Sequence, residues 1–420
     1  MTAGRALMTI GIGALLAAAL LALVSRAPES IRSATAPASA SDPALADRFT
    51  DAQVARHGTY RRAGYVAAGL GLLLNIGALI VLARGPVARA VDQLGSVWGG
   101  WPVQTLVLGA AVALVLAVST LPLGYVHGFA IDKAWGLSTQ TPAGWLADWA
   151  RGAGVAAAVG GVAALAFFAV VRWQPRLWWL WGWAAFTALS ALLAFLWPVV
   201  IAPLFFDFSP LRDESLGPRL ERLTQAAGVD VDEILVADAS RRTTSENAYV
   251  AGLGASKQLV VYDTLLRGPE EETAFVVAHE LGHEKESHVL KNIALASAGL
   301  FVGFAVLTLV ARREGLWEWA GAAGVRDLKA IPLLILFVTL ASVVALPVQN
   351  YASRRFERRA DAIALDLTQD PATAVRVFRR LAFSNIADLR PPEPVVGLLF
   401  SHPPIPDRIR SALARSTVAP

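Results

Sequence analysis

No cysteine occurs anywhere in the 420 residues. That absence excludes disulfide staples, thiolate metal ligands and a cysteine nucleophile, so any metal must be held by imidazole and carboxylate. Charge is scarce as well, with Asp, Glu, Lys and Arg at 17% of the chain, against about 25% in an ordinary soluble domain. The net charge is +4, and the arginines lie in loops and at segment ends. No basic patch interleaves with aromatic residues, so these are read as membrane-flanking charges and not as a nucleic-acid surface. There is no internal repeat, and no low-complexity tract apart from a linker of small residues.

What fills the chain instead is apolar: 55% hydrophobic residues and a mean hydropathy of +0.50, values that make a lipid bilayer the expected solvent. About seven continuous apolar stretches, near residues 6–24, 64–83, 102–125, 153–171, 178–200, 293–311 and 329–348, are long enough to cross it. A helix rises about 1.5 Å per residue and the hydrocarbon layer is about 30 Å thick. Trp101, Arg172, Trp173, Trp178, Trp197 and Arg312 stand at their ends, where side chains meet the interface. The first stretch follows Arg5 and precedes the small residues Ala38, Ser39 and Ala40, a pattern shared by cleaved signals. The apolar run is long and the small residues lie well beyond it, so it is read as a retained anchor.

Five segments follow from these shifts in composition: an N-terminal anchor and polar linker (1–63), a transmembrane region (64–206), a polar insert (207–292), a transmembrane pair (293–349) and a charged helical C-terminal region (350–420). Within the insert the pattern predicts a helix over Arg219–Ala227, strands over Glu233–Ala237 and Gln258–Tyr262, and a helix starting near Pro269–Thr273. Residues 350–384 read as one or two amphipathic helices, and Pro391–Pro406 as a loop.

The chemistry concentrates in Ala278-His279-Glu280-Leu281-Gly282-His283, a HExxH motif in a helical stretch. At 3.6 residues per turn His279 and His283 share one face, one turn apart, and can share one zinc ion. Glu280 is rotated about 100° from His279, so it reaches a water on that metal instead of the metal itself and becomes the candidate general base. The plain alternative is two solvated helix histidines. His288, five residues beyond His283, points about 140° away on the same helical projection and reads as a surface or supporting residue. A catalytic zinc needs a third protein ligand. Glu357 in Arg354-Arg355-Phe356-Glu357-Arg358-Arg359-Ala360-Asp361 is the candidate, set against a surface salt-bridge network among four arginines. The two spans between the motif and Glu357 return the chain to the same side of the membrane.

These residues, together with Ser245-Glu246-Asn247-Ala248-Tyr249 and the late Ser401-His402-Pro403 with Arg408, resemble the type I CAAX prenyl proteases, membrane zinc metalloproteases. Gly136-Leu137-Ser138-Thr139-Gln140 and Ile201-Ala202-Pro203-Leu204-Phe205 resemble further signatures of that family, so the likeness runs from about residue 60 onward. The resemblance implies a mainly α fold: a polytopic helical membrane protein of about seven transmembrane helices with a small α+β zinc metalloprotease domain of the gluzincin type. It implies one zinc ion per chain on His279, His283 and Glu357, with Glu280 as base and later proton carrier, and Asp361 as a catalytic residue, described in the family as a proton donor and by its spacing more naturally a carboxylate oriented toward a ligand histidine. It further implies Asn247, Ala248 and Tyr249 on an edge strand that pairs with substrate, and His402 and Arg408 near the scissile carbonyl. His57 and His127 match nothing and are read as structural.

The expected activity is metalloendopeptidase cleavage of membrane-associated or CAAX-type peptides. An Ala-, Arg- and Gly-rich composition suggests a high-GC bacterium, where a broader substrate range than prenylated peptides is expected. A non-catalytic membrane protein or transporter with a structural metal is the alternative, and spans nearly free of ionisable residues count against it. The arginine-rich 25–63 loop puts the catalytic insert on the cytoplasmic side of a plasma membrane.

Overall fold

A chain surrounded by lipid can satisfy its backbone only by bonding within a helix or a closed barrel. All seven apolar stretches are helical in the computed structural model of the protein, which describes residues 3–24, 42, 44, 45, 48–94, 100–251 and 257–416. The small residues Ala38, Ser39 and Ala40 lie outside the described residues. The membrane half runs through α1 (Ala3–Val24), α2 (Asp51–Ala83), α3 (Pro86–Leu94), α4 (Trp101–Tyr125), α5 (Asp132–Ala134), α6 (Pro142–Trp173) and α7 (Trp178–Leu196). A polar region follows, with β1 (Phe208–Pro210), α8 (Leu216–Ala227), β2 (Glu233–Ala237), β3 (Ala248–Ala251), β4 (Gln258–Tyr262) and α9 (Glu270–Lys285). The chain re-enters the apolar layer through α10 (His288–Val310), α11 (Glu314–Trp319) and α12 (Ile331–Thr368), and ends in α13 (Pro371–Ser384), α14 (Glu393–Leu399) and α15 (Ile405–Ser416).

Seven helices among the described residues are long and apolar enough to span a bilayer. Within the segment Trp178–Leu204 none of the most apolar window is buried by protein, and Val344 on α12 is 78% exposed. Large apolar surfaces left open this way need lipid against them, so the protein is a multi-pass integral membrane protein. Interfacial pairs mark one boundary: the Arg172 guanidinium lies 4.8 Å from the Trp101 ring and that of Arg84 5.0 Å from the Trp319 ring. Small residues let α4 and α6 touch backbone to backbone, since a Cβ on Gly109 would fall 2.7 Å from the Gly160 carbonyl oxygen.

Four boundaries differ from the sequence reading, one of them in the stretch Pro391–Pro406, read as a loop, which holds α14 and the start of α15. Helix α2 begins at Asp51 and not near 64, because Thr50 and Gln53 form a reciprocal capping box, 3.2 and 2.8 Å. The linker is therefore shorter by three to four turns. Helix α10 starts at His288, ahead of the expected boundary at 292. Most consequentially, no break separates the last span from the charged helix at 350: α12 is one helix of 38 residues, about 57 Å long and nearly twice the hydrocarbon thickness. Pro347 lies inside it without ending it.

Both long strands and α8 lie where the pattern predicted them. The sheet order is β1-β2-β4-β3, with β2 and β4 parallel and both outer pairings antiparallel. Central β4 buries Leu259, Val260 and Val261. One face packs on α8, α9, α13 and α15 through Leu220, Leu259, Phe275, Phe378 and Ile409, all under 2% exposed. Strand β3 is left at the edge, beside α9.

Candidate active site

Helix α9 carries three acidic residues, Glu270, Glu271 and Glu272, in its first turn, where negative charge suits the N-terminal end of the dipole. Residues 272–279 are buried. Its crossing with α12 depends on Gly282: a Cβ there would sit 3.0 Å from the Ala360 Cα and 3.1 Å from the Ala360 carbonyl oxygen. Glycine lets the two helices meet at the backbone, and this brings Glu357 over the two motif histidines.

His279 Nε2 lies 3.3 Å from Glu357 Oε2, His283 Nε2 3.3 Å from Glu357 Oε1, and the two Nε2 atoms are 3.1 Å apart. One donor atom from each residue falls within 4.8 Å of the others. Glu357 is 5% exposed, and its Oε2 has no hydrogen-bond partner. The neighbouring arginines do not serve it: Arg354 bonds carbonyls near α14, Arg355 leans on Tyr351, and Arg359 bonds Glu286 at 2.8 Å. A surface salt-bridge network is thus ruled out for Glu357. Burial alone would lower the His279 pKa, but the hydrogen bond and charge of Asp361, with Glu357, outweigh it and push the imidazole up to about 10. Positive charge is therefore favoured at this point. A buried carboxylate with an unpaired oxygen, facing two imidazole nitrogens, fits a divalent cation with a two-histidine, one-carboxylate ligand set.

Glu280 is half-buried and lines a cavity of about 480 Å³ together with His279, Asn247, Phe378 and His402. Burial raises its carboxyl above the ordinary range, against the opposing pull of His279 and His283. Asp361 lies behind His279, its Oδ1 2.8 Å from Nδ1. Arg408 grips the same carboxylate through Nη2 at 2.6 Å and Nε at 2.8 Å, its guanidinium 4.4 Å from the Phe378 ring. Arg408 lines the same cavity, and in this geometry its guanidinium is bound to Asp361 and holds that carboxylate. His402 stands on the rim with its side chain 61% exposed, Nε2 3.3 Å from Glu357 Oε1. Its loop is pinned by Asn350 on the Leu398 carbonyl at 2.7 Å and by Arg354 on those of Val396 and Phe400 at 2.8 and 2.7 Å.

Asn247 precedes and Ala248 and Tyr249 open strand β3, whose second edge carries no strand among the described residues. Tyr262 N–H donates to the Asn247 carbonyl at 3.0 Å, and Ala248 is opposite Val261. By the alternation of an antiparallel ladder, the backbone groups of Ala248 and Val250 point along the free edge. Tyr249 instead packs its ring on Tyr262, 6.4 Å between centroids, on the outer face of the sheet. Glu246, just before the strand, is tied at 2.9 Å to Arg380, which also reaches Glu272 and the Leu265 carbonyl.

The family model "Peptidase family M48" matches residues 210–416, and "CAAX prenyl protease N-terminal, five membrane helices" matches residues 30–207. The uncharacterized metalloprotease YhfN of Bacillus subtilis is 31% identical over 74% of this chain and 73% of its own. The chain belongs to peptidase family M48. CAAX prenyl protease 1 of Saccharomyces cerevisiae is 28% identical over 71% of this chain and 70% of its own. The crystal structure of S. mikatae Ste24p shares the fold, with a TM-score of 0.76 at 22% identity, covering 97% of this chain and 98% of that one. This M48 protein is thus a membrane metalloprotease of the CAAX prenyl protease family, with a fold that lines one cavity with α9, α13, the loop before the edge strand and the His402 loop.

Of the two readings left for His288, surface or supporting, the structure shows the supporting one, although the helical projection turned it away from His283. His288 is 3% exposed, its Nδ1 lies 2.9 Å from His283 Nδ1, and its ring stacks on Phe356 at 4.4 Å. The helical projection failed because Ser287, at φ 52° and ψ 42°, breaks α9 from α10 and turns the chain back. The available signal was a third histidine so soon after the motif. His57 is structural, its Nδ1 2.9 Å from the Ala387 carbonyl oxygen; His127 stacks on Tyr60 within the helical bundle.

Proposed function

We propose that the protein is a zinc-dependent endopeptidase that hydrolyses membrane-associated or CAAX-type peptides, with its active site facing the cytoplasm of a bacterial plasma membrane. The observation that carries this reading is the convergence of His279, His283 and Glu357 within 4.8 Å, beside Glu280 and an open strand edge. Two imidazoles and a carboxylate, with no cysteine in the chain, suit zinc. When bound, zinc supplies Lewis-acid polarisation of the scissile carbonyl and of the attacking water.

The residues do the rest. Glu280 takes the proton from the attacking water and returns it to the leaving amine nitrogen; its raised affinity for a proton makes it a better carrier than a solvated glutamate. His402, on the rim, donates a hydrogen bond to the developing oxyanion. The free backbone groups of Ala248 and Val250 hold the substrate extended, as an added strand. Phe275, Val276, Val377, Phe378 and Leu381 make one wall of the cavity apolar, which suits a hydrophobic side chain of the peptide. Several relatives carry the name CAAX prenyl protease 1; in a chain of bacterial composition we assign a broader set of hydrophobic peptides.

The test is cleavage of a quenched hydrophobic peptide by detergent-purified protein. Cleavage is expected to stop on chelation, return with added zinc, and fall by about 10²–10⁴-fold in Glu280→Gln while that variant keeps its metal. Undiminished cleavage by Glu280→Gln, or by the chelated protein, overturns the reading.

A further inference from the structure

The two histidines of the motif are braced differently from behind. His279 backs onto a carboxylate, with Nδ1 2.8 Å from Asp361. Among the described residues His283 has no such carboxylate; its Nδ1 lies 2.9 Å from His288 Nδ1. An imidazole that binds a metal through Nε2 must carry its proton on Nδ1, so His283 can only donate in this contact. His288 must then accept with a bare Nδ1, which leaves it neutral with its proton on Nε2. His288 is itself fixed: it is buried, it is the first residue of the membrane helix α10, it follows the left-handed Ser287, and its ring lies flat on Phe356, 21° between planes, next to the ligand Glu357.

We propose that His288 is the positioning residue of His283, a neutral imidazole that sets the ligand's tautomer and ring orientation and so ties the start of a transmembrane helix to the metal site. The proposal rests on the assignment of His283 as a zinc ligand. Partners behind ligating histidines typically contribute about 10–100-fold in metal affinity, usually as a carboxylate or carbonyl, and here the acceptor is a second histidine.

Two substitutions separate this role from packing. His288→Phe keeps a ring against Phe356 and deletes the acceptor; His288→Asn loses the ring and places an amide oxygen near the position of Nδ1. Zinc affinity of the full-length protein is measured by competition with a chelator, alongside the thermal melt of the zinc-free form. We expect His288→Phe to lose about 10–100-fold in affinity with the zinc-free melt unchanged, and His288→Asn to recover most of it. Wild-type affinity in His288→Phe, or a loss in His288→Asn as large as in His288→Phe, overturns the proposal while leaving the zinc reading intact. Should the wild-type protein bind no zinc, or bind it equally well as His279→Ala, the zinc reading fails and this proposal with it.

Discussion

At the scale of single residues, the site is a chain of buried groups that ends on an unpaired carboxylate oxygen of Glu357. Arg408 holds Asp361, Asp361 holds His279, and His279 faces Glu357 across 3.3 Å. Asp361→Asn keeps an oxygen for the His279 N–H but removes the charge opposite a buried guanidinium. Leaving such a charge uncompensated costs about 3–5 kcal/mol, so the melting temperature of this variant should fall sharply. Replacing Arg408 by Met at the same time should return part of that loss, a coupling that a double-mutant cycle of thermal melts reads directly. Single residues were also where the sequence spoke most clearly. HExxH is a local pattern, legible because one helical turn fixes the angle between its histidines. Arg408 was legible as a residue of interest but its contact with Asp361 was not, because which carboxylate a guanidinium meets depends on helices 47 residues apart.

Secondary elements carry the next layer. The two longer strands of the insert could be read as short, apolar, β-branched runs, and β3, which only the resemblance indicated, is where they become useful. Val250→Pro removes an outward N–H without touching the ladder to β4, a replacement that edge strands accommodate. Its kcat/KM on a peptide substrate should drop about tenfold or more, in line with a lost hydrogen bond to substrate of about 1.5 kcal/mol, while zinc content stays at the wild-type level. Equal kcat/KM would remove β3 from substrate binding. What the pattern could not give were the joints. The left-handed turn at Ser287 involves no glycine or proline to announce it, and it reverses the direction in which His288 points. Gly282 could be seen as a helix glycine, but not as the point where α9 meets Ala360 on a helix nearly eighty residues downstream. Gly282→Val should push α9 off α12 and lower zinc affinity with the seven spans still assembled, as judged by monodispersity in detergent.

For the whole molecule, hydropathy was enough to predict a membrane protein of about seven spans, because the requirement that lipid imposes on backbone hydrogen bonds leaves a helix few alternatives. Domain borders were less legible for the same reason: composition changes at 350, but a helix does not stop where its surroundings change. Binding of an ion at a site assembled from α9 and α12 stabilises only the folded state, by about 2.7 kcal/mol at a hundredfold excess over Kd. Zinc should accordingly raise the melting temperature of the wild-type protein and leave that of His279→Ala unmoved.

The unbroken rod from Ile331 to Thr368 has a mechanical meaning. Its first half presents apolar residues such as Val338 and Val344 outward and its second half bears Glu357, with Pro347 between them, where the backbone ladder lacks a donor and a long helix can bend.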